Sequence, residues 1–228
     1  IKIECKMKKA KLILDNQELE LDIINGTESE SAIDITKLRS QTGYITLDPG
    51  FANTGSCLSN ITFIDGEKGI LRYRGYPIED LAGKVKFTDV AYLLLYGDLP
   101  SVQKKSIFSK ELRKHANIHE DMKRFFDGFP LNAHPMATLS SMVTALSAFS
   151  SDVSTDDPES VNKTIIKILA KVKTIAAYSY RKSHGLPFIY PDPDLNYIEN
   201  FLHMMFSDSQ ESFHADPVLV DVLDLLLI

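Results

Sequence analysis

The hydrophobic periodicity of the chain changes at Pro77, and this change limits the folds that the chain can adopt. Before Pro77, apolar and polar residues alternate in short runs that are typical of β-strands. After it, apolar residues recur at helical spacing almost to Ile228. Pro77 suits the start of a helix, and Glu79 and Asp80 follow where carboxylates favour the helix dipole. The sequence therefore predicts a mainly α fold with a small N-terminal β-rich appendage.

The β-rich part is predicted to contain two hairpins and one further extended patch. Residues 10–24 alternate around a polar turn, which predicts a hairpin with one buried face. Residues 43–50, GYITLDPG, have the composition of another β segment. Residues 61–73 predict the second hairpin, and Gly66 and Gly69 are expected to supply positive φ angles in its turn.

These patterns divide the chain into two predicted domains. We assign residues 1–60 to a small β-rich domain and residues 61–228 to a helical one. Residues 1–6 precede Met7, a natural start, and are interpreted as added or upstream sequence. The last helix ends on four apolar residues without a cap, so we expect the polypeptide to continue beyond its printed end.

Capping residues predict where several helices begin and end. Thr88 is the predicted N-cap of a helix that stops at Gly97, and Ser101 is the predicted N-cap of the next helix. Pro135 opens a segment rich in Met, Ala and Ser, which is predicted to be buried on more than one side. We expect that helix to contact another helix or a second subunit.

Charge and cysteine content exclude several classes of protein. The net charge of −6 argues against nucleic acid or an anionic membrane as the main partner. No long apolar run or secretory signal is visible, and Cys5 and Cys57 have neither metal-ligand spacing nor a disulfide framework. These features predict a cytoplasmic protein without a metal site.

Five histidines are candidates for functional residues. His115 and His119 lie four residues apart, as zinc ligands can, but the cations around them favour roles at a helix surface or cap. His134 precedes Pro135 and is predicted to cap or anchor that helix, with catalysis as the alternative. His184 and His203 are likewise interpreted as structural rather than as general bases.

Two cationic groups could bind an anion. Arg72 and Arg74 alternate onto one face of the second hairpin, but we favour ion pairs with Asp65 or Glu79 over a bound carboxylate or phosphate. A stripe of lysines, namely Lys163, Lys167 and Lys171, is typical of a solvated helix face and could also hold a nucleotide. No glycine-rich phosphate loop is present in the sequence, so the residues alone assign no reaction.

Several longer motifs carry a family resemblance. They occur in order between Lys9 and Ile228: LDPGFANTGSCLSNIT, FIDGEKGILRYRGYPIEDLA, AYLLLYGDLPS, HPMATLSSMVTALSAF, GLPFIYPDPDLNYIENFLHMMF and DPVLVDVLDLLLI. Together they resemble the N-terminal half of bacterial citrate synthases. The first β segment, KAKLILDNQELELDI, resembles the extra small domain of a form whose homodimers can associate into hexamers and which NADH can inhibit.

The resemblance implies an enzyme that condenses acetyl-CoA with oxaloacetate and then releases citrate and CoA. It implies no cofactor, with acetyl-CoA as a substrate and NADH as an inhibitor. The two catalytic histidines, the catalytic aspartate and the substrate-binding arginines of the family are expected beyond Ile228. We therefore assign no catalytic residue within the chain and expect it to be inactive by itself.

The resemblance also implies where NADH would bind. The matching positions for an allosteric NADH site are Lys114, His115, Lys167 and Lys171. Three positions depart from the family pattern, since Ser150 replaces an aromatic residue, Asn117 replaces methionine and Gln210 replaces a reactive cysteine.

Two other functions remain open at this point. One is 2-methylcitrate synthase, which shares the scaffold and uses propionyl-CoA, although that group usually lacks the β appendage. The other is a non-catalytic scaffold or assembly module.

Overall fold

The chain folds into two compact units, which divide after Ser59. A computed structural model describes residues 9–15, 17–28, 30–150, 155–208 and 213–228. Sheet dominates the first unit and helix the second, so the predicted mainly α fold with a β-rich N-terminal part is confirmed. Residues 1–6, with Cys5, and Gln210 lie outside the described residues.

The first unit contains a three-stranded antiparallel sheet and a short helix. The strands follow one another in the sheet as β1 (Lys9–Leu14), β2 (Gln17–Asn25) and β3 (Ser31–Ile33), and helix α1 spans Leu38–Thr42. The predicted first hairpin is confirmed, because Leu12 of β1 pairs with Leu19 of β2. Leu21 is buried, as the alternation requires of that face.

The extended patch predicted at residues 43–50 is not a strand, and that prediction was wrong. Ile45 and Leu47 are exposed, and no described strand pairs with this segment. The Asp48 carboxylate instead accepts hydrogen bonds from the backbone N–H groups of Ala52 and Asn53. Within the segment, Tyr44 N–H donates to Thr42 Oγ1, and such local side-chain bonds to the backbone replace those of a sheet ladder.

The second unit starts with a small sheet and continues as helices. Its antiparallel strands are β4 (Thr62–Asp65), β5 (Ile70–Tyr73) and β6 (Tyr76–Pro77). The helices are α2 (Ile78–Leu81), α3 (Phe87–Tyr96), α4 (Val102–Lys114), α5 (Glu120–Lys123), α6 (Pro135–Ala145), α7 (Pro158–Ser183), α8 (Tyr197–Phe206) and α9 (Pro217–Leu226). Within the described ranges, no helix combines the length and apolarity needed to cross a membrane.

Glycine geometry in the small sheet agrees only in part with the prediction. Gly69 has a φ of 66°, as expected, whereas Gly66 does not adopt a positive φ. The tightest turn lies one strand later, between β5 and β6, where Tyr73 pairs with Tyr76. Its two central residues, Arg74 and Gly75, have φ angles of 50° and 88°. Two successive positive angles define the hairpin turn whose twist matches that of the flanking strands.

The caps of α3 and α4 show which helix boundaries are locally encoded. Gly97 ends α3 with a φ of 93°, and the Ser101 side chain accepts a hydrogen bond from Lys104 N–H, so both predictions are confirmed. The prediction that Thr88 caps α3 was wrong, because the helix already begins at Phe87. Phe87 N–H donates to Asp224 Oδ1 of α9 at 3.0 Å, and Lys86 N–H donates to Asp89 Oδ2, so the start of α3 is capped both from α9 and from its own first turn.

The largest core cluster surrounds α7, the longest of the described helices. Ile175 and Tyr178 of α7 pack with Met142 of α6 and Met204 of α8, and all four are almost completely buried. The Tyr178 ring stacks on Phe188 with 4.5 Å between ring centroids. Burying one such side chain contributes about 1.5–3 kcal/mol, so this cluster stabilises the packing of α6 and α8 on α7.

Within the chain itself, helix α6 is buried on one side, toward α7. Its other side would be buried only by contact with a second subunit. Its buried residues are Thr138 and Met142, which lie four positions apart on the face toward α7. Small residues occupy the exposed face, namely Ala137, Ser140, Ser141 and Thr144.

The turn between β5 and β6 gives a direct test of this backbone geometry. Gly75→Ala should lower the free energy of unfolding by about 1–2 kcal/mol, because a Cβ is strained at positive φ. Gly66→Ala is the matched control: neither site has an atom within 4 Å of the added Cβ, but only Gly75 has a positive φ. The control should leave the free energy of unfolding unchanged or raise it by about 0.4–1 kcal/mol, because alanine lowers the conformational entropy of the unfolded chain. Equal losses for both variants in urea unfolding would contradict the assignment.

Candidate functional site

The residues matching the implied NADH site lie where the end of α4 meets the middle of α7. His115 is the C-cap residue of α4. The segment after it is fixed to α7 by two side chains: Thr174 Oγ1 donates to Ala116 O at 2.7 Å, and Lys171 Nζ donates to Asn117 O. The structure therefore brings the Lys114–His115 pair close to the lysines of α7.

This proximity changes the electrostatics of the cluster. Burial lowers the pKa of His115, and the cations Lys114, Lys167 and Lys171 lower it further. The carboxylate of Glu111, whose Oε2 lies 3.5 Å from His115 Nε2, opposes this shift without cancelling it. Burial, followed by the charge of Lys167, also lowers the pKa of Lys171. A neutral imidazole among three ammonium groups is an arrangement that an anion would stabilise.

Two features limit what this cluster can bind. Glu111 Oε2 also lies 3.7 Å from Lys114 Nζ, so a carboxylate already shares two of the four candidate residues. The Lys171 ammonium is engaged by a backbone carbonyl. Lys167 is consequently the member of the cluster that makes neither of these contacts, and it is half-exposed.

The other four histidines that were weighed make local hydrogen bonds. The Nδ1 atoms of His119 and His134 accept from backbone N–H groups at the starts of α5 and α6, as predicted for His134. Nδ1 of His184 lies 2.9 Å from Tyr180 O, and Nδ1 of His203 lies 2.8 Å from Ser207 Oγ. Among the described residues, no three His, Cys, Asp or Glu side chains are grouped as metal ligands would be.

The predicted ion pairing of Arg74 was wrong. Arg74 lies in the turn after β5, so strand alternation does not place its side chain, and its Nη2 donates to Leu94 O at 2.7 Å. Asp65 pairs with Lys68 instead, at 2.9 Å. The Arg74 guanidinium thus donates to a carbonyl in the last turn of α3, where a positive charge also interacts favourably with the helix dipole.

A second cationic site was not predicted. A cavity of about 140 Å³ is lined by residues from α3 to α9, and its polar and aromatic lining includes Lys86, Lys105, Arg113, Lys173, Tyr197 and Asp224. Lys173 is only 5% exposed. The signal for this site was present, because Lys173 shares the helical stripe of Ile166, Ala170 and Ala177, all of which are buried apolar residues. A lysine on a core-facing stripe is unusual.

Comparison with known proteins identifies the family. A family model described as "Citrate synthase, C-terminal domain" matches residues 50–228. Citrate synthase 1 of Mycobacterium tuberculosis is 50% identical over 212 residues, which cover 92% of this chain and 49% of the relative. The citrate synthase of Corynebacterium glutamicum is 46% identical over 221 residues, which cover 96% of this chain and 51% of the relative.

Solved structures share the fold. The citrate synthase of Pyrobaculum aerophilum matches with a TM-score of 0.69 at 32% identity, over 81% of this chain and 48% of that one. The citrate synthase of Thermoplasma acidophilum matches with a TM-score of 0.72 at 24% identity, over 79% of this chain and 46% of that one, which shows the fold alone.

The helices around α7 therefore have the arrangement found in citrate-forming acyltransferases. The chain belongs to the citrate synthase family. It spans about half the length of the curated relatives that it matches.

Proposed function

We propose that this chain forms part of a citrate synthase, which joins acetyl-CoA to oxaloacetate and hydrolyses citryl-CoA to citrate and CoA. The observation that carries the proposal is the 50% identity to a named citrate synthase over 212 residues. Identity at this level over nearly the whole chain favours the same scaffold and the same reaction over a merely similar fold.

The chemistry indicates a scaffolding role for these residues. The reaction removes a weakly acidic methyl proton, so it needs a carboxylate base, donors for the enolate oxygen and arginines for substrate carboxylates. The histidines that were weighed for catalysis are engaged in caps or local contacts, while Arg74 and Arg181 donate to backbone carbonyls. We assign no catalytic residue to the chain, and its substrates would be bound with groups from the rest of the enzyme.

Regulation by NADH is part of the proposal. Lys114, His115, Lys167 and Lys171 would form the nucleotide site, with Lys167 as the main contact for a phosphate because the other lysines already have partners. The carboxylate of Glu111 weakens such a site. The departures at Ser150 and Asn117 also remove contacts that the resemblance implies.

Assembly is proposed to use the exposed face of α6. The family resemblance implies a homodimer that can build a hexamer, and small side chains on this face would permit close approach of a second helix. Ala145 is a poor position for testing this contact, because it packs against the core of its own chain. Ser141 is exposed and lies near the middle of the small-residue face. We place the assembled enzyme in the cytoplasm, as the cysteine pattern suggests.

Joining this chain to the unmatched remainder of the M. tuberculosis relative tests the proposed reaction. The chimera should release CoA from acetyl-CoA only when oxaloacetate is present, whereas the chain alone should release none. The relative itself is the positive control, and a thiol reagent measures the free CoA. A folded chimera that is inactive, or that uses propionyl-CoA faster than acetyl-CoA, would contradict the proposed function.

Fluorescence titration with NADH tests the regulatory site. Lys167→Ala should abolish binding, whereas Lys163→Ala, one turn earlier on α7, should leave it unchanged because Lys163 is paired with Glu159 at 2.6 Å. The pKa of His115 is lowered, so a nearby phosphate would favour proton uptake, and affinity should strengthen as the pH falls toward 6. Binding that survives Lys167→Ala would place NADH elsewhere.

A charge on the exposed face of α6 tests the proposed dimer. Ser141→Glu should shift the protein from dimer to monomer in sedimentation velocity, since an unpaired carboxylate is costly to bury in an interface. Ser106→Glu, at an exposed position on α4, is the control and should remain dimeric. The contact would be refuted if both variants sedimented as dimers.

A further inference from the structure

We propose that the cavity beside Lys173 binds a small oxyanion of the phosphate or carboxylate type. The cavity is distinct from the cluster at the end of α4. Lys171 of that cluster reaches Asn117, whereas Lys173, two positions later on α7, lines the cavity. Two positions on a helix are about 200° apart, so the two side chains leave opposite faces.

The unsatisfied ammonium of Lys173 is the main observation. Its Nζ is buried and makes no hydrogen bond with any described residue. Its nearest compensation is the ring of Tyr197, whose centroid lies 4.5 Å away. Tyr197 is held in place because its hydroxyl donates to Leu169 O at 2.8 Å. A ring face attracts a cation but leaves the N–H donors of a buried ammonium without an acceptor, which is costly.

The remaining charges of the cavity leave a local positive excess. Lys105 Nζ pairs with Asp89 Oδ2 at 2.5 Å, and Lys86 Nζ pairs with Asp221 Oδ1 at 2.8 Å. Arg113 and Lys173 have no carboxylate partner among the described residues.

Asp224 is the one carboxylate among the lining residues, and it is already engaged. Its Oδ1 accepts from Phe87 N–H, and its Oδ2 lies 3.7 Å from Lys86 Nζ. Two cations consequently face the space without a counter-charge of their own.

The size and protonation of the site suit an anion. Its volume of about 140 Å³ is well above the roughly 10–15 Å³ that one water needs by the same kind of measure. Burial, and secondarily the charge of Arg113, lowers the pKa of Lys173 to about 8. The amine is therefore still mainly protonated at pH 7, and a bound oxyanion would supply its missing acceptor.

Thermal unfolding and calorimetry of the purified protein test this site. Sodium phosphate and sodium acetate are each titrated against sodium chloride at equal ionic strength. At least one oxyanion should raise the melting temperature saturably, and a response to phosphate alone or acetate alone identifies the ligand type. Lys173→Met should weaken binding at least tenfold, whereas Lys163→Met, an exposed position on the same helix, should bind like the unmodified protein.

A second variant covers the case in which Lys173→Met does not fold. Arg113 is exposed, so Arg113→Gln should leave the fold intact, weaken oxyanion binding severalfold and raise the pKa of Lys173. The proposal is overturned if neither oxyanion binds more strongly than chloride. It is also overturned if folded Lys173→Met, or Arg113→Gln, retains the affinity of the unmodified protein.

Discussion

The guanidinium of Arg181 ties the end of α7 to the segments that follow it. Arg181 is 2% exposed, and it donates to the backbone carbonyls of Pro187, Met205 and Ser207. A buried cation is tolerated only when its donors are satisfied, and here backbone carbonyls accept from the guanidinium. Because the loop after α7 and the end of α8 bind the same group, α8 is held against α7. The core around Tyr178 and Met204 depends on that placement.

Helix positions were largely predictable because their causes are local. The glycine at 97 and the hydroxyl of Ser101 act within one turn, and the boundaries predicted from these two residues agree with the structure. The failures have long-range or competing causes. The first N–H of α3 is bound by Asp224 of α9 rather than by Thr88. In the segment 43–50, Tyr44 N–H donates to Thr42 Oγ1 at the end of α1 instead of to a neighbouring strand.

The candidate site was predictable to a different extent. The resemblance supplied the positions of the lysines and His115. Only the packing of α4 on α7 shows that His115 already contacts the Glu111 carboxylate and that Lys171 already donates to the Asn117 carbonyl. No role for Lys173 is predicted from the sequence. Its position on a buried stripe was visible, but its lack of a hydrogen-bond acceptor depends on how α8 and α9 close over α7.

The bond from Phe87 to Asp224 also affects how the chain can be made. Its partners are 137 positions apart, so Phe87 N–H can exchange water for Asp224 only after α9 has left the ribosome. Loop closure over such a distance is entropically costly and slow relative to helix formation. During translation, the exposed start of α3 and the apolar residues Leu81, Val90 and Leu93 would remain open to chaperones or to aggregation longer than the core around α7.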